Sequence, residues 1–219
     1  MKISPKDSNT YLLSDFSFTF RTGNRYIVFD LEATGPNEAE DNITQMGAIV
    51  VDETGPREDL TFVSYVKPRK LIPKFIEELT GVTNELVDQA PGFLEVYEKF
   101  REFCGDAILV TQCGYEYDFP LLACECRRSS VALLENERLD TKAIYSLLHP
   151  GEKNTFSTNF LSDYYKIDRS VYKRHDALGD ARLISRFFWS EIQEAASLAV
   201  GFIATQSPLE IKKAGAPIP

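Results

Sequence analysis

The stretch YIVFDLEATG, from Tyr26 to Gly35, ends an apolar, β-branched run on two carboxylates, Asp30 and Glu32. The run has the length and composition of a strand. Side chains alternate across a strand, so residues two apart share a face. An extended Tyr26–Glu32 therefore aims both carboxylates the same way. At ~5 Å and an effective dielectric of ~20, two such charges repel by roughly 3 kcal/mol. That is large beside a typical net stability of ~5–15 kcal/mol. A fold that buries this strand must offset the repulsion with a shared proton, a basic partner or a divalent cation. A shared proton points to acid–base chemistry of the glycosidase or aspartic protease type. A cation points to metal-assisted hydrolysis. From these two residues alone, a strand end whose acids face water accounts for the pattern equally well.

The flanking pattern sets the fold class. Tyr26–Leu31, Ile43–Asp52 and Leu60–Pro68 read as three strands joined by short connections, with TGPRED as the turn before the third. Such connections predict an antiparallel start to a sheet. Pro73–Gly81 then reads as a helix with Pro at its start and Gly at its end. Phe93, Val96, Phe100 and Phe103 recur at helical spacing. AILVTQC (107–113) is a buried-type strand, and DFPLLACECRR opens a helix. ERLDTKAIYSLLHPG reads as a short strand and a helix capped by Asp140 or Thr141. STNFLSDYY is a short helix, and a long amphipathic helix follows His175. Strand-rich then alternating elements predict an α/β domain with a mixed sheet. It spans residues 24–205. Residues 1–23 read as an N-terminal arm or extra strand, and residues 206–219 as a C-terminal tail.

A chain of 219 residues is long enough for one domain with a real core. It has no run of ~18 apolar residues for a transmembrane helix, and its start lacks an apolar signal segment. The expected location is cytoplasmic, with no membrane partner. Cys104, Cys113, Cys124 and Cys126 form no CxxC pair and have no nearby histidine. They read as small buried thiols, not a zinc site. The net charge of −9 argues against broad coating of duplex nucleic acid. The charges are nonetheless segregated. Glu32–Asp59 holds eight acids and one base, whereas Lys67–Lys74 holds four bases and no acid. A local basic rim can still hold a few phosphates.

Two further stretches carry acids. In YEYDFPLL, Asp118 starts a helix just after a buried-type strand. Strand carboxyl ends are where α/β proteins build sites. Taken alone, Asp118 reads as a helix cap. In HDALGDA, His175 and Asp180 stand five apart at the head of the last long helix. Ala177, Gly179 and Ala181 around them permit close approach of another group. Taken alone, Asp176 caps this helix and His175 is a surface residue.

Together, FDLEATG, YEYDFPLL and HDALGDA resemble, in order and spacing, the three motifs of the DEDD 3′→5′ exonucleases. The histidine five before the last aspartate resembles the DEDDh branch, which includes the proofreading subunit of bacterial DNA polymerase III and RNase T. The stretch FIEELTGVTNELVDQAPGFLEVYEKF is also similar to this branch. The resemblance implies an RNase H-like fold: a central mixed five-stranded sheet flanked by helices. It implies that Asp30, Glu32, Asp118 and Asp180 hold two Mg²⁺ or Mn²⁺ ions and that His175 is the general base. Thr34, with Ala33, matches positions near the 3′-terminal nucleotide. The implied substrate is a single-stranded DNA or RNA 3′ end, and a proofreading role would need a polymerase or other protein partner. Four carboxylates suit these hard cations independently of the resemblance. An imidazole can take a proton from water near neutral pH. His149, the other histidine, reads as a helix-terminal residue. One departure stands out. The family usually carries His-Asn four to five residues before the third acid, where this chain has Cys113 and Gly114. That bears on substrate preference and rate, not on reaction type.

Overall fold

In the computed structural model, residues 2–20, 23–152 and 154–213 are described. The first strands are β1 (Lys2–Pro5), β2 (Thr10–Ser14) and β3 (Ser17–Thr19). β4 (Tyr26–Ala33), β5 (Ile43–Asp52), β6 (Gly55–Tyr65), β7 (Ile108–Thr111) and β8 (Arg138–Asp140) form the main sheet, in the order β6-β5-β4-β7-β8. β5 is antiparallel to β4 and β6, β7 is parallel to β4, and β8 is parallel to β7. The mixed five-stranded sheet is as the resemblance implies.

Helices cover both faces. They are α1 (Lys74–Thr80), α2 (Asn84–Asp88), α3 (Phe93–Cys104), α4 (Asp118–Arg128), α5 (Thr141–Leu148), α6 (Thr158–Tyr164) and α7 (Ala177–Ser197). Alternation along β4 sorts two cores. Tyr26 and Val28 pack with Ile144 of α5 and with Phe187 and Phe188 of α7. Ile27, Phe29 and Leu31 pack with Val96 and Phe100 of α3 and with Leu121 and Leu122 of α4. The Phe29 ring meets the rings of Phe100 and Phe119 edge-on, both at 5.5 Å. Full burial of side chains this size contributes about 1.5–3 kcal/mol each. The same alternation carries Asp30 and Glu32 onto the Tyr26/Val28 face, the α7 side.

Two expectations need correction. The third strand starts at Gly55, not Leu60, because Asp52 pairs with Gly55 across a two-residue turn. Past Thr54, which stays in the turn, the TGPRED segment is strand with a bulge. Ile49 faces Thr61 and Val50 faces Arg57, so residues 58–60 have no partner on β5. Glu58, in that bulge, instead pairs with Arg182 and Arg186 of α7, at 3.0 and 2.6 Å.

At the chain ends, β1, β2 and β3 follow the extra-strand reading of the N-terminal residues, whereas the expected C-terminal tail also carries a strand. β9 (Phe202–Ala204) pairs with β3, and β10 (Leu209–Lys212) pairs with β2, both antiparallel. Tyr11, Leu13 and Ile211 are buried by this pairing and by the α5–α7 core. Residues 1, 21 and 22 of the expected arm and 214–219 of the expected tail lie outside the described residues. Deleting residues 207–219 should therefore lower the unfolding free energy in a urea titration. Lost burial of Ile211 alone accounts for about 1.5 kcal/mol or more. The Tyr11 and Leu13 amides should lose hydrogen-exchange protection at the same time.

Candidate active site

Asp30 and Glu32 project from the carboxyl end of β4. β7 stops pairing with β4 at Val28, opposite Val110. Beyond that point the β4 backbone has no neighbour on this side. The Leu31 N–H donates instead to Asp118 Oδ1, at 3.2 Å. A helix-starting aspartate is thus pinned between the two β4 acids by a main-chain bond. Asp118 is not an N-cap of the ordinary kind: Tyr117 holds that position, and α4 has no side-chain cap.

The fourth acid arrives on α7. Gly47 of β5 lies opposite Asp30 in the sheet. A Cβ at Gly47 would sit 2.2 Å from Ala177 C and Leu178 N. No side chain fits there, so the α7 N-terminus presses onto the strand backbone. Gln45, buried on β5, fixes the angle. Its Oε1 accepts from the Ala177 N–H at 3.0 Å, and its Nε2 donates to Asp176 Oδ2 at 3.2 Å. Asp176 caps α7, accepting from the Gly179 N–H at 3.0 Å. Gly179 in turn has Lys173 O where its Cβ would be, at 2.1 Å. The small residues around His175 and Asp180 are what these approaches require.

His175 has a left-handed backbone, φ 56°, a conformation rare for residues other than glycine though enriched in histidine. This turns its N–H onto Asp180 Oδ2, at 2.8 Å. Donor atoms of Glu32, His175 and Asp180 all lie within 4.8 Å of one another. Glu32, Asp118 and Asp180 are 9, 7 and 6 % exposed, and Asp30 and His175 are partly buried. The structure thus brings Glu32, His175 and Asp180 within reach of one ion; Asp118, tied to the Leu31 N–H, and Asp30, on the same strand face as Glu32, stand outside that trio but feel its charges. His149 sits elsewhere, at the end of α5, with its ring stacked on Tyr145 at 4.2 Å and 3.3 Å from Glu194.

Ala33 and Thr34 continue from β4 into the loop of residues 34–42. Thr34 is 1 % exposed. Its hydroxyl donates to Asp41 Oδ1 at 2.8 Å and accepts from the Asn42 N–H at 3.0 Å. That side chain is committed to the loop. Residues not singled out in the sequence hold this loop against α4. Arg128 donates to the carbonyls of Glu38, Ala39 and Asp41, and the Tyr117 hydroxyl donates to Gly35 O.

The RNase T-type exonuclease family matches residues 27–188 of the chain, a span that contains all five residues. This chain belongs to the RNase T-type exonuclease family. Among its relatives is the PolC-type DNA polymerase III of Latilactobacillus sakei subsp. sakei, 30 % identical over 78 % of the chain and 11 % of that protein. The 3′-5′ exonuclease DinG of Bacillus subtilis is 31 % identical over 58 % of the chain and 13 % of that protein. The chain thus spans little more than a tenth of these relatives' length. The nuclease domain of 3′hExo, a DEDDh family member bound to rAMP, has the same fold. It matches with a TM-score of 0.71 at 18 % identity, over 84 % of this chain and 98 % of that one.

The DEDDh departure at Cys113-Gly114 has a local cause. A Cβ at Gly114 would lie 2.1 Å from the Thr111 hydroxyl oxygen, so the asparagine usual in the family would collide with β7. The Gly114 N–H donates to buried Asp140 at 2.8 Å, and Cys113 takes a left-handed φ of 59°. Asp140 also caps α5 through the Lys142 N–H, as one of the two sequence alternatives had it. The thiols are all free. Cys104 and Cys126 are buried as expected, but Cys113 and Cys124 are only partly so.

Burial, and then repulsion among the carboxylates, pushes Asp30 well above the ordinary carboxylate range and Glu32 up to about 8. Burial likewise lifts Asp118 to about 7. A folded-state pKa above the unfolded one means the folded protein binds the extra proton. Stability from these groups is therefore greatest near the unfolded values and falls as pH rises through the folded ones. Cations bound here would compete with those protons for the same oxygens. In chelator, the melting temperature should fall between about pH 5 and pH 8. Added Mg²⁺ or Mn²⁺ should raise it more at pH 8 than at pH 5. Equal metal-induced shifts at both values would contradict this electrostatic account.

Proposed function

We propose that this chain is a metal-dependent 3′→5′ exonuclease that releases nucleoside 5′-monophosphates from single-stranded nucleic acid. The observation that carries the reading is the convergence of Asp30, Glu32, Asp118 and Asp180 from β4, α4 and α7. They are half-buried or buried, and for three of them the protonated form is favoured. All four offer hard oxygen donors, the set that suits Mg²⁺ or Mn²⁺. Those residues would hold two such ions, which supply Lewis acidity to the phosphodiester and to the attacking water.

The chain's own residues do the rest. His175, beside Glu32 and Asp180, takes the proton of the attacking water as general base. The water oxygen bonds to phosphorus, the bond from phosphorus to the 3′ oxygen breaks, and that oxygen takes a proton from solvent. The products are a nucleoside 5′-monophosphate and a chain one nucleotide shorter. Because the Thr34 hydroxyl is spent inside its loop, the terminal nucleotide rests on the backbone of residues 33–35. The rAMP held by the 3′hExo nuclease domain is a product of this class. Similarity to a DNA polymerase favours a proofreading version, in which a polymerase partner delivers the strand end. Loss of catalysis, leaving a module that only binds strand ends, is disfavoured because all five residues are present in the sequence.

Digestion of 5′-labelled single-stranded DNA and RNA, side by side with Mg²⁺ or Mn²⁺, tests the reading. A ladder shortening from the 3′ end is expected, abolished by EDTA and by Asp30→Ala or Asp180→Ala. His175→Ala should lower the rate by roughly 10²–10⁴ while leaving metal binding intact. Full activity in EDTA would rule the mechanism out, and the two substrates report the sugar preference.

A further inference from the structure

Four carboxylates meet in this site, yet among the described residues one cationic side chain contacts any of them. Arg174 Nε donates to Asp180 Oδ1 at 2.5 Å. The other nearby bases are engaged elsewhere: Lys173 with Asp176 at 3.3 Å, and fully buried Lys142 with Glu116 at 2.8 Å. The Arg174 charge also favours the ionised forms of Asp30 and Glu32, so it is felt across the cluster. Its hold on Asp180 is lopsided. Asp180 Oδ2 is occupied by the His175 N–H, a main-chain bond. Oδ1 is occupied by a side chain that is about a third exposed, at 32 %. Its further anchor is a 3.4 Å contact from Nη1 to Asn159 Oδ1. Among the described residues the guanidinium is thus held by two side-chain contacts and by no main-chain group.

Charge bookkeeping suggests a second partner for it. Four ionised carboxylates carry a charge of about −4, which two divalent cations would balance, on the reading that they bind here. A phosphodiester then enters with about one further negative charge, and gains more as the attack proceeds. Asp180 Oδ1 serves a guanidinium poorly when it also faces a divalent cation, because like charges repel. The planar guanidinium fork suits phosphate oxygens, and its charge does not depend on pH. Arg174 and His175 also meet the same carboxylate, Asp180, so the guanidinium stands close to the proposed general base.

We propose that Arg174 is a catalytic residue for the scissile phosphate: it rests on Asp180 and swings its guanidinium onto a non-bridging phosphate oxygen in the substrate complex. This rests on the exonuclease reading above. It goes beyond the four acids and the histidine by giving the chain its own phosphate-binding cation.

The test uses the full 219-residue chain and three proteins: wild type, Arg174→Ala and Arg174→Lys. Mn²⁺ affinity is measured by calorimetry, and kcat and KM on single-stranded oligonucleotides at saturating Mn²⁺. Arg174→Ala should bind Mn²⁺ at least as tightly as wild type, since a competing cation is gone. Its kcat should fall by about 10²–10³, the usual loss for one transition-state donor, and guanidinium salt at low millimolar concentration should restore part of it. Arg174→Lys should keep the charge but lose the fork, giving an intermediate kcat. If Arg174 only braces the turn before α7, Arg174→Ala should melt earlier, bind Mn²⁺ more weakly and show no guanidinium rescue; that result overturns the proposal. So does an Arg174→Lys enzyme with wild-type kcat and KM, which keeps the test decisive if the alanine variant does not fold. A wild type inactive on DNA and RNA would overturn the exonuclease reading and this one with it. An active wild type matched by Arg174→Ala would overturn this one alone.

Discussion

Four carboxylates held within one small volume repel one another, and the fold around them works to keep them there. Removal from water raises the cost, so Asp30, Glu32 and Asp118 favour their protonated forms. A cluster this unfavourable survives only if rigid elements over-determine it. β4 supplies two of the acids by strand alternation. The Leu31 N–H, left over where β7 ends, ties down Asp118. The contact of α7 on Gly47, braced by Gln45, delivers Asp180 and His175. Each tie is made largely by main-chain groups, which cannot relax away as a long side chain can.

The same frame explains where this chain leaves the family pattern. Gly114 packs so closely on Thr111 that no side chain fits, and its N–H is used by buried Asp140. The polar contact usual at this position is exchanged for a tight turn between β7 and α4. Asp118, which follows that turn, keeps its place. The loop after β4 is arranged on similar lines. Thr34 and Asp41 close it from within, and Arg128 holds three of its carbonyls from outside. The surface offered to a terminal nucleotide is therefore backbone with a fixed shape.

Much of this was legible in the sequence because it depends on local periodicity. The alternation in YIVFDLE predicts which face Asp30 and Glu32 share, and the two cores confirm it residue by residue. The helices around Phe93–Phe103 and after His175 follow from their apolar spacing. What stayed hidden depends on distant pairing. Nothing local in LEIK marks Leu209–Lys212 as the partner of Thr10–Ser14, some 195 residues earlier in the chain. Gln45 carries no local signal of its role, since its partners, Ala177 and Asp176, lie more than 130 residues on. The left-handed backbone of His175 and the Arg174 contact with Asp180 are likewise products of the turn, with no signature in composition.

On the proposed reading, these four carboxylates are assembled to hold cations. Crystals of the full chain soaked in Mn²⁺ and measured at the manganese absorption edge test it directly. Two anomalous peaks about 4 Å apart are expected, bounded by Asp30, Glu32, Asp118 and Asp180. Clear density for the four side chains with no anomalous peak between them, at Mn²⁺ concentrations that support nuclease activity, would contradict it.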